Sequence, residues 1–178
     1  MLTLFSNKKE KIIEYIIDNP TKKIKVRELA KLLKISPAYV SRTLKILTRF
    51  NIIKKNKVDI SNPYVRGLKI FFNIKKLVDK NVIRRLKKLE AIGCGIYGSC
   101  ANGTNHEESD IDIWIKVDKH PGEAKVATVS NEIRKLLGRN VQILVLTPER
   151  IERLKKEDPI FYYSLVFGSI RLYGEGIE

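Results

Sequence analysis

Cysteine is nearly absent from this sequence: Cys94 and Cys100 are the only two in 178 residues, too few for a disulfide framework. The two histidines, His106 and His120, lack the spacing of zinc ligands. No uninterrupted apolar run approaches the roughly 20 residues of a membrane-spanning helix, and no lipidation motif accompanies the charged stretches. The opening Met1-Leu2-Thr3-Leu4-Phe5 has neither the charged start nor the cleavage site of a signal peptide. These absences lead to the expectation of a cytoplasmic protein with no membrane partner. What is present is apolar enough to fold. A hydrophobic content of 43% excludes a disordered tail, and the length suits one ordinary domain or two small ones.

Acidic residues are scarce in one half only. Residues 1–90 hold 24 basic and 7 acidic side chains, a net +17, whereas residues 91–178 hold 11 and 13. Such a half is suited to a polyanion, because neutralising phosphates releases condensed counterions. A lysine-rich surface of a heat-adapted protein is the alternative, and the single glutamine, Gln142, agrees with it.

Within residues 1–62, Ile12, Ile13, Ile16 and Ile17 form the apolar stripe of a helix from Asn7 to Asn19, which Pro20 ends. Ile24 and Val26 alternate with charge in a short extended stretch. A second helix is expected from about Arg27 to Lys34. Ser36 then suits an N-cap and Pro37 the first helical position, where no N–H is needed. The third helix, to about Phe50, should bury Val40, Leu44 and Leu47 and present Ala38, Ser41, Arg42, Lys45 and Arg49 on its other face. After Asn51, Ile52 to Ile60 reads as a short hairpin with a basic tip. This order resembles a winged helix-turn-helix from Val26 to Val58. By that resemblance the third helix enters the major groove of double-stranded DNA or meets another nucleic acid. Tyr39, Ser41, Arg42 and Lys45 would face base edges or phosphates, and Lys54, Lys55 and Lys57 would sit on phosphates. Tyr39 as a packed aromatic at the helix start is an equal alternative. Winged helices pair on two half-sites, so a homodimer is compatible with the reading.

Residues 63–90 form a connector without Gly/Ser character. Leu68, Ile70, Phe71, Phe72, Ile74 and Leu77 are too apolar for solvent, and Val82, Ile83 and Leu86 alternate with Arg84, Arg85, Lys87 and Lys88 in a basic amphipathic helix.

In residues 91–178 the pattern changes. Ala91 to Tyr97 is a short uncharged run that reads as a buried strand, and Gly98-Ser99 follows at once. Glycine lets a backbone approach a phosphate, and Ser99 adds a hydroxyl donor beside free N–H groups. Then comes Ser109-Asp110-Ile111-Asp112-Ile113-Trp114-Ile115, whose strict alternation makes a strand. Ile111, Ile113 and Ile115 face the core, so Asp110 and Asp112 project together from the other face. Each makes the other costlier to ionise, and a magnesium ion between them removes that penalty. Trp114 shares their face, either to stack on a base or to pack against a helix. Cys94 is expected to be buried and His106 to be exposed. Thr128–Leu137 and Pro148–Glu157 read as surface helices.

The turn and the carboxylate pair resemble the DNA polymerase beta-like nucleotidyltransferase superfamily, especially its minimal branch, over about Ala91 to Gly174. The resemblance implies an α+β chain in which a mixed-sheet α/β domain follows the winged helix. It implies that Gly98, Ser99 and Ser109 bind the triphosphate of ATP or another NTP, and that Asp110 and Asp112 are catalytic ligands of a two-metal magnesium site. A hydroxyl acceptor would attack the α-phosphorus and pyrophosphate would leave. The family's third carboxylate is expected on the strand Val141 to Leu146, where Gln142 stands, and an amide cannot take up a proton. Two functions therefore follow: transfer of a nucleoside monophosphate to a hydroxyl, or transcriptional regulation with a catalytically degenerate nucleotide-binding domain.

Overall fold

A computed structural model describes residues 7–178; the Met1–Phe5 segment, read above for a signal peptide, lies outside the described residues. The chain divides into two compact units, Met1–Lys69 and Ile70–Glu178.

The first unit contains α1 (Asn7–Asp18), α2 (Val26–Leu33), α3 (Pro37–Arg49) and the two short strands β1 (Ile53–Lys54) and β2 (Lys57–Val58). Ile12, Ile13, Ile16 and Ile17 of α1 are all buried, together with Leu29, Ala30, Val40 and Leu47 from the next two helices. Lys34 closes α2 in the left-handed conformation at φ 55°, and its N–H donates to the carbonyls of Ala30 and Lys31. Two residues later Ser36 caps α3, its hydroxyl accepting from the Tyr39 N–H at 3.4 Å. One expectation is corrected in α3. Thr43 is buried with Val40 and Leu47, while Leu44 is half-buried. Steps of three and four place 40, 43 and 47 on one line, and Leu44 falls at its margin.

β1 and β2 pair antiparallel, Ile53 opposite Val58 and Lys54 opposite Lys57. The turn residues Lys55 and Asn56 both have positive φ, 48° and 59°, as a two-residue hairpin with the right twist demands. The extended stretch before α2 joins this hairpin through one bond, from the Ile24 N–H to the Asn56 carbonyl at 2.8 Å.

Helix α4 (Pro63–Asp79) runs through the residue at which the units divide. The stretch 63–79 is thus one 17-residue helix. In the second unit follow α5 (Val82–Leu86), a 3₁₀ turn (Lys87–Leu89), β3 (Gly93–Ile96), α6 (Gly98–Asn102), β4 (Ile111–Lys116), α7 (Glu123–Leu137), β5 (Val141–Leu146), α8 (Pro148–Glu157), α9 (Pro159–Gly168) and β6 (Ile170–Gly174). The sheet has the order β5-β4-β3-β6. β4 and β5 are parallel, and β3 is antiparallel to both β4 and β6. It is a mixed sheet, as expected.

Two cores flank this sheet. On one face Ile111, Ile113 and Ile115 pack with Val126, Val129 and Ile133 of α7 and with Val82, Leu86 and Leu89. On the other, Trp114 packs with Leu146, Ile151, Tyr162 and Leu165, the last three from α8 and α9. The face that carries the carboxylates is therefore covered beyond Asp112, and Trp114 has 0% exposure. Of its two expected roles, the indole takes packing against helices. Gly95 makes room for it, because a Cβ there would come within 2.7 Å of the ring.

Candidate functional site

The site is assembled from the ends of three neighbouring strands. Asp112 lies opposite Gln142 in the parallel β4–β5 register, and the Gln142 Nε2 donates to the Asp110 Oδ2 at 2.8 Å. The expected alignment of Gln142 beside the carboxylate pair is therefore what the sheet contains. On the other side of β4, the Tyr97 N–H donates to the Asp112 carbonyl at 3.1 Å, which brings the turn after β3 against the carboxylates. Gly98 sits there at φ 63°, and a Cβ on it would stand 2.7 Å from the Asp112 Oδ2. Both the left-handed backbone and the contact require glycine.

Ser99 is half-buried at the start of α6, and its carbonyl accepts from the N–H groups of Gly103 and Thr104. Ser109, the third residue expected to bind nucleotide, closes the loop before β4. Its hydroxyl accepts from the His106 N–H at 2.8 Å, and its carbonyl accepts from the Arg139 guanidinium, Nε at 2.9 Å. Arg139 also donates to the His106 carbonyl at 3.1 Å. A residue from the α7–β5 connection thereby holds the entry to β4. His106 itself is exposed and Cys94 buried, as expected. Burial pushes the Cys94 thiol up to about 11, so it stays protonated and unreactive.

Electrostatics in this corner follow from burial and like charge. The Asp112 carboxyl titrates above the ordinary carboxylate value, first because it is partly buried and then because Asp110 is beside it. Tyr97 is raised as well, by burial and by the charge of Asp112, against a lowering effect of Arg150. Tyr97 and Arg150 were not singled out as site residues from the sequence. The aromatic directly before Gly98 was a signal for the first, since it must lie between strand and turn. Arg150 comes from the first turn of α8, and no local pattern marks it.

The donors present fit a magnesium ion in one respect. Asp110 and Asp112 are hard oxygen ligands on one face, and Asp112 is raised first by burial and then by the charge of Asp110. Magnesium is commonly held by one or two carboxylates with substrate phosphates and water. No group of three or more His, Cys, Asp or Glu comes together among the described residues. Asp118 is exposed beyond the far end of β4, and Glu149 is exposed on α8, so neither joins the pair as a third carboxylate. A separate cleft of about 570 Å³ lies between the loop before β4 and the end of α7, lined by Glu107, Glu108, Ser109, Arg134, Lys135 and Arg139 among others; neither carboxylate nor Gln142 lines it.

In the first unit, Arg42, Lys45, Lys54, Lys55 and Lys57 are exposed, and Tyr39 and Ser41 are half-buried. Ser41 and Lys45 line a groove of about 350 Å³ with Val26, Leu44, Thr48 and Asn56. Lys54 is engaged within the unit, its Nζ 2.5 Å from the Asp59 carboxylate. With Ser61, that contact lowers Asp59 to about 2. No helix among the described residues is long and apolar enough to cross a membrane.

Two family models match the sequence, over ranges that overlap. A family model described as "Nucleotidyltransferase domain" matches residues 78–166. Another, "Firmicute plasmid replication protein (RepL)", matches residues 1–93. Among curated proteins none matches the sequence. One similar solved structure is described as "Crystal structure of the toxin-antitoxin with AMP-PNP". It is 19% identical with a TM-score of 0.43, over 54% of this chain and 73% of that one.

Proposed function

Because the chain belongs to the nucleotidyltransferase domain family, we propose that its second unit binds a nucleoside triphosphate with magnesium and transfers the nucleoside monophosphate to a hydroxyl acceptor. The observation that carries this is the closeness of the Gly98 turn to Asp112, where the Tyr97 N–H donates to the Asp112 carbonyl and a Cβ on Gly98 would crowd the carboxylate; it supports a phosphate-accepting backbone beside a metal-accepting carboxylate. In this reading Gly98 and Ser99 take the triphosphate, Ser109 orders the strand entry, and Asp110 and Asp112 hold the metal. The metal, when bound, supplies positive charge to the triphosphate and to the departing pyrophosphate. The acceptor hydroxyl releases its proton to solvent and its oxygen forms a bond to the α-phosphorus as the bond to pyrophosphate breaks.

Calorimetry of ATP binding with and without magnesium tests the site. Wild type should bind only with the metal, and Asp110→Asn should lose at least tenfold in affinity while keeping its Tm. Equal binding by that variant would overturn the assignment of the carboxylates.

A second reading rests on Gln142. Its amide is already bonded to Asp110 and supplies no base, and loss of a base typically costs about 10²–10⁴ in rate. A nucleotide-binding regulator without turnover is consistent with that. Gln142→Asp should then create or raise transfer from radiolabelled ATP to an acceptor. Wild-type transfer unaffected by the substitution would exclude the degenerate reading.

For the first unit we propose binding of double-stranded DNA in the manner of a winged helix. The three helices with a basic hairpin support this, as does the match of residues 1–93 to a plasmid replication protein family. Arg42 and Lys45 would face the groove, and Lys55 and Lys57 the phosphates. Lys54 would first have to leave Asp59. A homodimer on two half-sites belongs to the same proposal.

A further inference from the structure

The segment from Gly98 to Asp110 carries both halves of the proposed nucleotide site, the phosphate turn at one end and a metal carboxylate at the other. Ten residues separate Ser99 from Asp110, and only the five-residue α6 gives them regular structure. Something outside the segment has to hold it. The structure contains two buried asparagines at this place, Asn73 on α4 at 8% exposure and Asn105 in the loop at 2%.

Asn73 uses both hydrogens of its amide. Its Nδ2 donates to the Cys100 carbonyl at 2.9 Å and to the Asn105 Oδ1 at 3.0 Å. In return the Asn105 Nδ2 donates to the Asn73 Oδ1 at 3.3 Å. The Cys100 carbonyl needs this donor for a local reason. It belongs to the last turn of α6, and the Thr104 N–H that would reach it in a longer helix bonds to Ser99 instead. The segment is also tied at its far end, where the Cys100 thiol lies 3.7 Å from the Asp110 carbonyl. One side chain of α4 thus reaches the residue after Ser99 and the middle of the loop that leads to Asp110.

We infer that Asn73 and Asn105 are positioning residues of the nucleotide site: the reciprocal amide pair fixes the Gly98–Ser99 turn at its working distance from Asp110 and Asp112. The inference rests on the nucleotide reading for its functional half, but its mechanical half is independent of any ligand. A buried polar pair that served stability alone would be replaceable by two apolar side chains of similar size at little cost. A positioning pair would not, because the turn would lose the anchoring bond from the Asn73 amide to the Cys100 carbonyl.

Two measurements on the full chain separate these roles. The first is hydrogen exchange without ligand. In Asn73→Leu, the amides of residues 98–105 should exchange at least tenfold faster, with β4 and β5 unchanged. A uniform rise across the unit, or none, overturns the inference. The second compares Tm and magnesium–ATP affinity in Asn73→Leu and in Asn73→Leu/Asn105→Leu. The double variant should recover part of the Tm lost by the single one, while its affinity stays about tenfold or more below wild type. Recovery of affinity together with Tm would show the pair to be structural and overturn the inference. If wild type itself binds no magnesium–ATP, the nucleotide reading fails, and the exchange measurement alone decides whether the amides hold the turn.

Discussion

Asp112 is the residue at which stability and proposed function oppose each other most directly. Its carboxyl is raised by burial and by Asp110, so the folded protein holds that proton to higher pH than the unfolded chain does. Native-state proton binding in excess of the unfolded state means that stability falls as pH rises through the window from the ordinary value upward. At neutral pH the ionised pair is a net cost in the metal-free protein. Asp112→Asn should therefore leave the metal-free Tm unchanged or raise it by roughly 1–2 °C, while magnesium-dependent ATP binding is lost. In wild type, the proposed binding requires the ionised carboxylate, so affinity should fall on acidification at a higher pH than an ordinary aspartate would give. Calorimetry and thermal scans across pH check both. A clear drop in Tm for the variant would mean that Asp112 is instead a stabilising structural group.

At the scale of elements, α3 and the hairpin make the comparable prediction for the first unit. Each phosphate contact contributes about 0.9 to the slope of log affinity against log salt. Arg42→Ala with Lys45→Ala should weaken duplex binding and flatten that slope by about 1–2, as read by fluorescence anisotropy at several salt concentrations. An unchanged slope would move the contact surface away from α3. The same elements show which parts of the fold could be read beforehand. Ser36-Pro37 announced α3, because cap and first-turn chemistry are local, and the Ile stripe announced α1. Strict alternation placed Asp110 and Asp112 on one face and Ile111, Ile113 and Ile115 in the core. Helix α9 was not foreseen, although Asp158-Pro159 repeats the signature of Thr147-Pro148 and the Asp158 carboxylate accepts from the Phe161 N–H at 3.0 Å. Its uncharged sequence has no amphipathic period, so the cap was the only available sign. The start of α7 at Glu123, earlier than the expected Thr128, was hidden for a related reason: Glu123, Ala124 and Lys125 are all exposed, and Val126 is the only buried apolar residue before Thr128. Nor did any local pattern predict the Asn73–Asn105 pair, since its members lie 32 positions apart and only tertiary packing joins them.

For the whole molecule, the division of charge has a thermodynamic counterpart. The net +17 of residues 1–90 contrasts with the near balance of residues 91–178, and the proposed duplex binding would draw its salt sensitivity from the first. Between low and physiological salt, duplex affinity should fall by orders of magnitude, while magnesium–ATP affinity changes by only a few fold. Parallel titrations of the same preparation measure both. Equal sensitivity of the two would mean that the nucleotide is held mainly by the basic first half.

The buried indole on β4 gives this molecule an optical handle. Trp114 is the sole tryptophan of the chain, it lies two residues from Asp112, and its Nε1 has no hydrogen-bond partner among the described residues. An indole in such dry surroundings emits at the blue end of its range and shifts to the red when water reaches it. The first unit has no tryptophan. Emission excited at the red edge of the indole band therefore reports the integrity of the nucleotidyltransferase unit alone, without a label, even while the remainder of the chain binds, melts or is cut away.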